Sequence, residues 1–137
     1  MGKVAVVFWS GTGNTEAMAD VIVEAAGAAK IECESFDAAK VAEYDAIAFG
    51  CPAMGAEELE DTIVLPMWDA VKGALSGKNI ALFGSYGWGD GEWMRNWEED
   101  AKNAGANLVC ESVTCLETPD DEANENLKKL AAALANA

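Results

Sequence analysis

Histidine is missing from this 137-residue chain, and proline is scarce, with three residues. The absence of histidine excludes a His-based catalytic triad. It also removes the side chain that most often serves as a general base or a metal ligand. With little proline and a hydrophobic content of 51%, the composition predicts a packed globular fold rather than disorder. A chain of this length is expected to form one domain.

Long hydrophobic runs are also missing. No apolar run reaches the roughly 18 residues that a membrane helix needs. The first residues, MGKVAVVFWSG, contain one lysine and a short apolar run that no small-residue cleavage site follows, so a signal peptide is not predicted. We therefore expect a cytoplasmic protein that does not associate with membranes.

Positive charge is scarce: 24 acidic residues face 9 basic ones, and the net charge is −15. This balance excludes nucleic acid as a partner, because phosphate backbones are bound by positive surfaces, and it disfavours anionic membranes. It favours a basic protein partner through long-range electrostatic steering. Solubility alone is the alternative explanation until the charges are located.

The four cysteines do not form a C-x-x-C motif, which excludes a thioredoxin motif and a zinc ribbon. They are Cys33, Cys51, Cys110 and Cys115. Cys110 and Cys115 are five residues apart on a predicted strand and are expected on opposite faces. Buried, unreactive thiols are favoured over the alternative of an iron–sulfur site.

Strand-like apolar runs alternate with helix-like segments along the whole chain. Strands are predicted at 3–9, 31–36, 45–50, 79–84 and 108–115, and helices at 15–26, 38–43, 58–74, 91–104 and 120–135. The alternation predicts an α/β fold, a doubly wound five-stranded parallel sheet with helices on both faces. The second strand alternates apolar and polar residues, as an edge strand does, which fits the order 2-1-3-4-5. In that topology a ligand binds beyond the carboxyl ends of strands 1 and 3.

Individual residues predict where helices end and which side chains are buried. Gly27 is expected to end the first helix, and Pro66 to make a turn inside the third. Thr118 or Asp120 is expected to cap the last helix, whose Leu127, Leu130 and Leu134 share one face. Trp93 and Trp97, four residues apart on a predicted helix, are expected in the core.

The loop after the first strand contains only small or hydrogen-bonding residues and leads directly into a helix: Ser10, Gly11, Thr12, Gly13, Asn14 and Thr15. A helix N-terminus offers free N–H groups and a partial positive charge of about half a unit, which suits an anion. The glycines allow close backbone approach, and the side chains add neutral donors. The loop matches neither a Walker A motif nor the dinucleotide fingerprint. A common capped helix start is the alternative, but we favour a phosphate site.

The loops after the third and fourth predicted strands each carry a large side chain beside glycine. Met54 precedes Gly55, and Trp88 lies between Gly87 and Gly89. A glycine-flanked tryptophan has few neighbours against which to bury itself, so a planar ligand is a better partner than the core. Met54 and Trp88 are thus predicted to sandwich a flat ring whose phosphate lies in the first loop.

Three segments carry a resemblance to a known family: WSGTGNTE, CPAMGAEELED and GSYGWGDGEWM. In this order and spacing they resemble the phosphate loop and the two flavin loops of the flavodoxins, small electron carriers that bind FMN. The resemblance runs from the first strand to the last helix, so it implies a single flavodoxin-like FMN-binding domain over residues 1–137. The predicted uninterrupted fifth strand resembles the short-chain branch.

The resemblance also implies residue roles. Ser10 to Thr15 would hold the phosphate, and Met54 and Trp88 would flank the isoalloxazine. Gly55 would flip its peptide when the flavin takes up one electron, so that its carbonyl accepts from N5–H, and Glu57 would pair with N3–H. The remaining residues implied in the FMN site are Pro52, Ala53, Ala56, Ser85, Tyr86, Gly87 and Gly89. Pro52 replaces a serine that helps to hold phosphate in some members, and Glu117 and Thr118 follow strand 5 without a matching motif.

The predicted flavin loops carry acidic residues and no basic residue. These are Glu57, Glu58, Glu60, Asp61, Asp90 and Glu92. Each close carboxylate is expected to disfavour an anionic reduced flavin by roughly 1–2 kcal/mol. A stabilised semiquinone and a disfavoured hydroquinone predict a low-potential one-electron carrier that cycles between those two states, as a monomer that docks on basic reductases and electron acceptors.

Three other functions are compatible with parts of this pattern. A flavin-dependent NAD(P)H:quinone-type or nitro reductase on the same fold is the main alternative, but Met54 and Trp88 would cover both faces of the ring. A signalling receiver domain would need acidic residues where Trp9, Ser10, Gly50 and Cys51 stand. A phosphatase-like fold would need a cysteine and an arginine in the first loop, and neither is there.

Overall fold

The computed structural model describes residues 3–11, 13–53, 60–86, 91–116 and 119–137. The strands are β1 (Val4–Phe8), β2 (Ala29–Glu32), β3 (Ala46–Gly50), β4 (Asn79–Tyr86), β5 (Asn107–Leu108) and β6 (Val113–Leu116). The helices are α1 (Asn14–Ala26), α2 (Ala38–Val41), α3 (Val64–Val71), α4 (Glu92–Asn103) and α5 (Asp121–Ala135). Short 3₁₀ helices span Cys33–Ser35 and Lys72–Ala74.

The strands form one parallel sheet in the order β2-β1-β3-β4-β5, and β6 also pairs with β4. This confirms the predicted fold class and strand order. β1 and β3 are buried along their whole length, as strands covered on both faces must be. β2 alternates half-buried and exposed residues, so its prediction as an edge strand is also confirmed. The switch point lies between the ends of β1 and β3, where Phe8 pairs with Gly50.

Two hydrophobic clusters cover the two faces of the sheet. The cluster under α3 and α4 contains Trp68, Trp93 and Trp97, which confirms the last two as core residues. The cluster under α1 and α5 includes Leu127, Leu130 and Leu134, the predicted apolar face of the last helix. Among the described residues, no helix is long and apolar enough to cross a membrane.

The second strand lies earlier in the chain than predicted. Ile31 and Glu32 belong to β2, but residues 33–35 form a 3₁₀ helix instead of continuing the strand. Cys33 and Phe36 are both buried, and the N–H of Phe36 donates to the carbonyl of Cys33. A three-residue turn points both side chains inward, which the two-residue period of a strand cannot do.

The fifth strand is interrupted, contrary to the prediction of one strand over 108–115. Leu108 pairs with Ile80, and Val113 pairs with Phe83. Leu108 and Val113 are five positions apart in sequence, whereas their partners in β4 are three apart, so two extra residues lie outside the hydrogen-bonded ladder. The interruption also changes the cysteine prediction. Cys110 and Cys115 pack against the same cluster rather than on opposite faces, and Cys33 and Cys51 lie in the other cluster. All four are free thiols, divided between the two faces, and do not converge on one metal cluster.

The helix ends agree with the sequence in most places. Gly27 ends α1 with a φ of 65°, and the side chain of Asp120 caps α5 by accepting from the N–H of Ala123 at 2.8 Å. The third helix is shorter than predicted, because α3 begins only at Val64 and a 3₁₀ helix follows it. Pro66 lies in the first turn of α3, where the missing N–H has no intrahelical partner to lose.

Candidate functional site

The carboxyl ends of β1, β3 and β4 lead into the three loops that the sequence singles out. The structure describes the predicted site residues Ser10, Gly11, Gly13, Asn14, Thr15, Pro52, Ala53, Ser85 and Tyr86. Thr12, Met54, Gly55, Ala56, Glu57, Gly87, Trp88 and Gly89 lie outside the described residues, as do Glu117 and Thr118. The roles of this second group stay predictions.

The first loop ends at Gly13, which stands at the N-terminus of α1 with a left-handed φ of 94°. Its N–H donates to the hydroxyl oxygen of Ser10 at 3.0 Å. Ser10 can still donate its own hydrogen to a ligand, because a hydroxyl both accepts and donates. A Cβ added at Gly13 would have no heavy atom of the described residues within 4 Å, so none of them covers this helix end. The N-terminus of α1 has no side-chain cap at its N-cap position.

The indole of Trp9 packs against the backbone of the first loop at Gly11, a role that the sequence analysis missed. A Cβ added at Gly11 would lie 3.1 Å from the indole of Trp9, so the backbone of the loop passes close to that ring. The indole is half-buried and packs against the cluster under α3 and α4. The backbone N–H of Trp9 donates to the carbonyl of Gly50 at 3.1 Å, which joins the start of the first loop to the end of β3. The signal in the sequence is a large aromatic residue directly before a loop of small ones.

Ser85 is the residue at which the three loops meet. Its hydroxyl lies 2.9 Å from that of Thr15 in the first turn of α1, and both residues are buried. Its carbonyl accepts from the N–H of Ala53, in the second loop, at 2.9 Å. Ser85 itself lies at the end of β4, one residue before Tyr86. One buried side chain and its peptide therefore tie the candidate phosphate loop to both candidate ring loops.

The described start of the second loop, Cys51 to Ala53, is bonded to β4. A Cβ at Gly84 would collide with the carbonyl oxygen of Cys51, so this position requires glycine. That carbonyl also accepts from the indole N–H of Trp93 at 3.1 Å, and the N–H of Cys51 donates to Phe83 at 3.2 Å. Tyr86 packs on Trp93 with ring centroids 5.6 Å apart. Trp93 and Gly84 thus both contact the carbonyl of Cys51 at the start of the second loop. The sequence analysis placed Trp93 only in the core.

Glu60 is buried, and its carboxylate caps α3. It accepts from the N–H groups of Thr62, Ile63 and Val64 at 3.0, 2.6 and 3.0 Å and from the Thr62 hydroxyl. Burial raises the pKa of this carboxyl, but the bonds from Thr62, Val64 and Ile63 outweigh it, so the pKa lies below its usual value. The negative charge of Glu60 is therefore offset by the N–H groups at the start of α3. The sequence analysis counted this residue among the carboxylates around the ring.

Two of the described lysines, Lys30 and Lys72, each form ion pairs with two carboxylates. Lys30, on β2, binds Glu16 at 2.9 Å and Asp20 at 2.8 Å, and these bonds raise the pKa of Lys30. Lys72 lies within 3.4 Å of Asp69 and Asp100. Arg95 lines a groove of about 340 Å³ beside β6. That groove and a second one of about 400 Å³ contain none of the predicted site residues.

The described residues of the first loop fit a phosphate monoester. The donors are neutral: the N–H groups at the start of α1 and the hydroxyl of Ser10. None of the described residues occupies the space over Gly13, where phosphate oxygens would lie, and the partial positive charge of the helix end favours them. FMN carries such a phosphate, so this part of the structure is compatible with the cofactor that the resemblance implies.

Comparison with known proteins agrees with this geometry. The flavodoxin family model matches residues 6–130. A flavodoxin of Megasphaera elsdenii is 47% identical over 123 residues, covering 86% of this chain and 89% of the relative. One from Clostridium beijerinckii is 37% identical over 136 residues, covering 96% and 98%. The solution structure of two-electron reduced M. elsdenii flavodoxin superposes with a TM-score of 0.90 at 42% identity, covering 98% of this chain and 99% of that one. The chain therefore belongs to the flavodoxin family and, like its members, is an FMN-binding electron-transfer protein rather than an enzyme.

Proposed function

We propose that this chain is a low-potential one-electron carrier whose FMN cycles between the semiquinone and the hydroquinone as it shuttles electrons between redox enzymes. The observation that carries the proposal is the charge of the site. A neutral phosphate cradle at α1 adjoins ring loops that contain carboxylates and no basic residue. The bound FMN supplies the one-electron redox chemistry, and the protein supplies the binding groups and the electric field.

In this proposal the first loop holds the phosphate without a cation. The Ser10 hydroxyl and the N–H groups at the start of α1 are the described donors, and Thr12 and Asn14 belong to the same loop. Thr15 is proposed to act at this loop as well, although its hydroxyl is buried against Ser85. Because no lysine or arginine neutralises the phosphate, the negative charge of the cofactor persists at the site and adds to that of the surface.

The proposed ring site uses the two other loops. Met54 and Trp88 would cover the faces of the isoalloxazine, Gly55 would offer its carbonyl to N5–H, and Glu57 would accept from N3–H. The contacts of the described neighbours support this arrangement, because Ala53 is bonded to Ser85 and the backbone of Cys51 is bonded to β4. Pro52 offers no hydroxyl, so any phosphate contact there is lost in this chain.

The carboxylates near the ring loops would disfavour an anionic reduced flavin. Asp61 and Glu92 are exposed at the ends of these loops, whereas the charge of Glu60 is offset by the N–H groups of α3. Since Glu60 is compensated, the repulsion is proposed to come from the remaining five acidic residues. They are Glu57, Glu58, Asp61, Asp90 and Glu92.

We further propose basic redox proteins as partners and a monomer that works as one domain in the cytoplasm. Among the described residues only Leu65 and Leu116 are exposed large hydrophobic residues, which supports a surface without a permanent interface. The four free thiols are consistent with a reducing compartment. The net charge of −15 favours association with positive surfaces.

The test is a stepwise anaerobic reduction of the holoprotein, monitored by absorption. The expected course is a yellow flavin that passes through a blue neutral semiquinone before the hydroquinone forms at low potential. Gly55→Val should lower the maximum yield of the blue species, because valine makes one orientation of the flipping peptide costly. The control is Gly73→Val, since a Cβ at Gly73 meets no described heavy atom within 4 Å and should leave the yield unchanged.

Two outcomes would contradict the proposal. Wild-type flavin that bleaches directly to the hydroquinone would indicate a two-electron reductase. Rapid NAD(P)H oxidation by the purified protein alone would support the same alternative. An unchanged semiquinone yield in Gly55→Val would leave the one-electron role intact but would contradict the role of Gly55.

A further inference from the structure

Four aromatic side chains follow one another from the end of β4 along α4 to α3, and we call them the aromatic series: Tyr86, Trp93, Trp97 and Trp68. The ring centroids of Tyr86 and Trp93 are 5.6 Å apart. Trp97 and Trp68 meet edge to face at 5.5 Å. Trp93 and Trp97 lie one turn apart on α4, which places their Cβ atoms about 6 Å apart on one face of the helix. All three tryptophans are buried in one hydrophobic cluster, and the proposed function gives them no redox role.

The three indole N–H groups of the series have different surroundings. That of Trp93 donates to a neutral acceptor, the carbonyl of Cys51, at 3.1 Å. That of Trp97 is buried and finds no hydrogen-bond partner among the residues that the structure describes. That of Trp68 donates to the carboxylate of Asp100 at 2.6 Å. Of the three indoles, Trp68 alone therefore has a carboxylate bonded to its nitrogen.

These surroundings decide which indole gives up an electron most easily. An indole that loses an electron becomes a cation, and its N–H becomes strongly acidic. The carboxylate on Trp68 stabilises such a cation, whereas the core around Trp97 offers it no polar partner among the described residues. Lys72, 3.4 Å from the same carboxylate, offsets only part of its charge. The side chain of Asp100 is 44% exposed, so it can take the indole proton and pass it to water.

We propose that the aromatic series is an electron-transfer relay that carries an oxidising equivalent from the flavin to Trp68, where Asp100 accepts the indole proton. This inference rests on the proposed function, because the FMN site proposed for this chain includes Tyr86. The relay stops at Trp68, since the next described ring, Phe49 at 5.4 Å, is much harder to oxidise.

Blue light drives the transfer, because excited oxidised FMN is a strong one-electron oxidant. The flavin gains one electron from the near end of the series, and each ring is refilled by the next, so that Trp68 loses one electron in total. The Nε1–H bond of Trp68 then breaks, and an O–H bond forms on Asp100. The products are one-electron-reduced flavin, a neutral Trp68 radical and a protonated Asp100, and the reverse transfer restores the starting state. An aromatic radical beside the flavin recombines quickly, whereas separation along the series prolongs the life of the radical pair.

The experiment follows the tryptophan radical by transient absorption after a blue laser pulse on the oxidised holoprotein. Wild type should give a long-lived neutral tryptophan radical. Asp100→Asn should leave the radical protonated and shorten its life, since an amide does not accept the proton. The matched control is Asp69→Asn, because Asp69 also pairs with Lys72, at 3.3 Å, but the indole of Trp68 is bonded to Asp100. The control should keep the neutral radical and its lifetime.

Trp97→Phe tests the middle of the relay. Phenylalanine keeps an aromatic ring in the core but is not oxidised under these conditions, so the long-lived radical should be lost. Phe49→Leu alters the packing on Trp68 without removing an oxidisable ring, and it should keep the radical. A long-lived radical in Trp97→Phe, or its loss in both variants, would contradict the relay. The two aspartate variants change partly exposed side chains and keep the test available if a core variant does not fold.

Equal spectra and lifetimes in Asp100→Asn and Asp69→Asn would overturn the inference. So would the absence of a long-lived tryptophan radical from wild type, and electron paramagnetic resonance of protein that carries ring-deuterated tryptophan identifies the radical. The proposed function is tested separately by stepwise reduction in the dark. A semiquinone in that titration without a tryptophan radical after the pulse would refute the relay alone. A tryptophan radical without a semiquinone in the titration would refute the one-electron carrier and leave the relay in place.

Discussion

The hydroxyls of Thr15 and Ser85 lie 2.9 Å apart across 70 residues of sequence, and both are shielded from solvent. Thr15 belongs to the first turn of α1, and Ser85 to the end of β4. Since α1 starts at the candidate phosphate loop and β4 ends at a candidate ring loop, this hydrogen bond connects the two parts of the proposed FMN site.

Thr15→Val should destabilise the apoprotein by about 1–3 kcal/mol, because the Ser85 hydroxyl then loses its buried partner. FMN should also bind more weakly, since the first turn of α1 is no longer fixed to β4. Denaturant unfolding and fluorescence titration with FMN measure the two effects. Thr114→Val, at an exposed position of β6, is the control and should change neither quantity. Wild-type stability in Thr15→Val would show that the bond contributes nothing.

Gly84→Ala should lower stability and FMN affinity together. The new methyl group would collide with the carbonyl oxygen of Cys51, so the second loop would have to move away from β4 at a cost of about 1–3 kcal/mol or more. Gly73→Ala makes the same chemical change in open space and should be nearly neutral. The melting temperatures of the two apoproteins provide the comparison. Equal melting temperatures would mean that the loop adjusts without cost.

The stability of the protein should fall in acid through Glu60. Its pKa is lower in the folded state than in the unfolded chain, so the unfolded state binds more protons between the two values. The contribution is complete above the ordinary glutamate pKa and is lost as the pH falls through the folded value. Urea unfolding of the apoprotein between pH 7 and pH 3 should show a smaller loss for Glu60→Gln than for Asp61→Asn. Parallel curves for the two variants would contradict this assignment.

Electron transfer to a positively charged haem protein should slow as salt is added. The long-range attraction that steers a basic partner to this acidic chain is screened within about 10 Å at 0.1 M ionic strength. Transfer to a small neutral acceptor should hardly change, which controls for effects of salt on the flavin itself. Stopped-flow traces at several salt concentrations test this, and a salt-independent rate with the haem protein would contradict electrostatic steering.

The sequence predicted the layers and order of the sheet because burial leaves a simple pattern. β1 and β3 are continuous apolar runs, and Ile31 and Glu32 show the alternation of an edge. The pattern did not predict where β2 ends, since a 3₁₀ helix buries Cys33 and Phe36 three residues apart, and this spacing does not follow the two-residue period of a strand. It also missed the two extra residues between β5 and β6, because their place depends on the register with β4.

For the candidate site, the sequence indicated the positions of the loops but not the contacts between them. The loops could be located because glycines and hydroxyl residues follow buried strands, and Gly13 stands at the N-terminus of α1 with a positive φ. The links between the loops could not be predicted. The bond between Thr15 and Ser85 joins residues far apart in sequence. Likewise, the sequence presents Glu60 as one of several loop carboxylates, and only its bonds to the start of α3 distinguish it from Asp61.

The broken ladder at the β4 side of the sheet has a consequence for how this chain behaves at high concentration. A long, regular edge strand offers a row of unpaired peptide groups on which another chain can add, and such addition leads to aggregation. Here β5 has two residues and β6 has four, with two extra residues displaced between them, and the opposite edge is the four-residue β2 with its exposed Lys30 and Glu32. Neither described edge therefore offers a long row of unpaired peptide groups to another chain. We expect the protein to stay monomeric at concentrations at which a sheet with long, regular edge strands would aggregate into fibres.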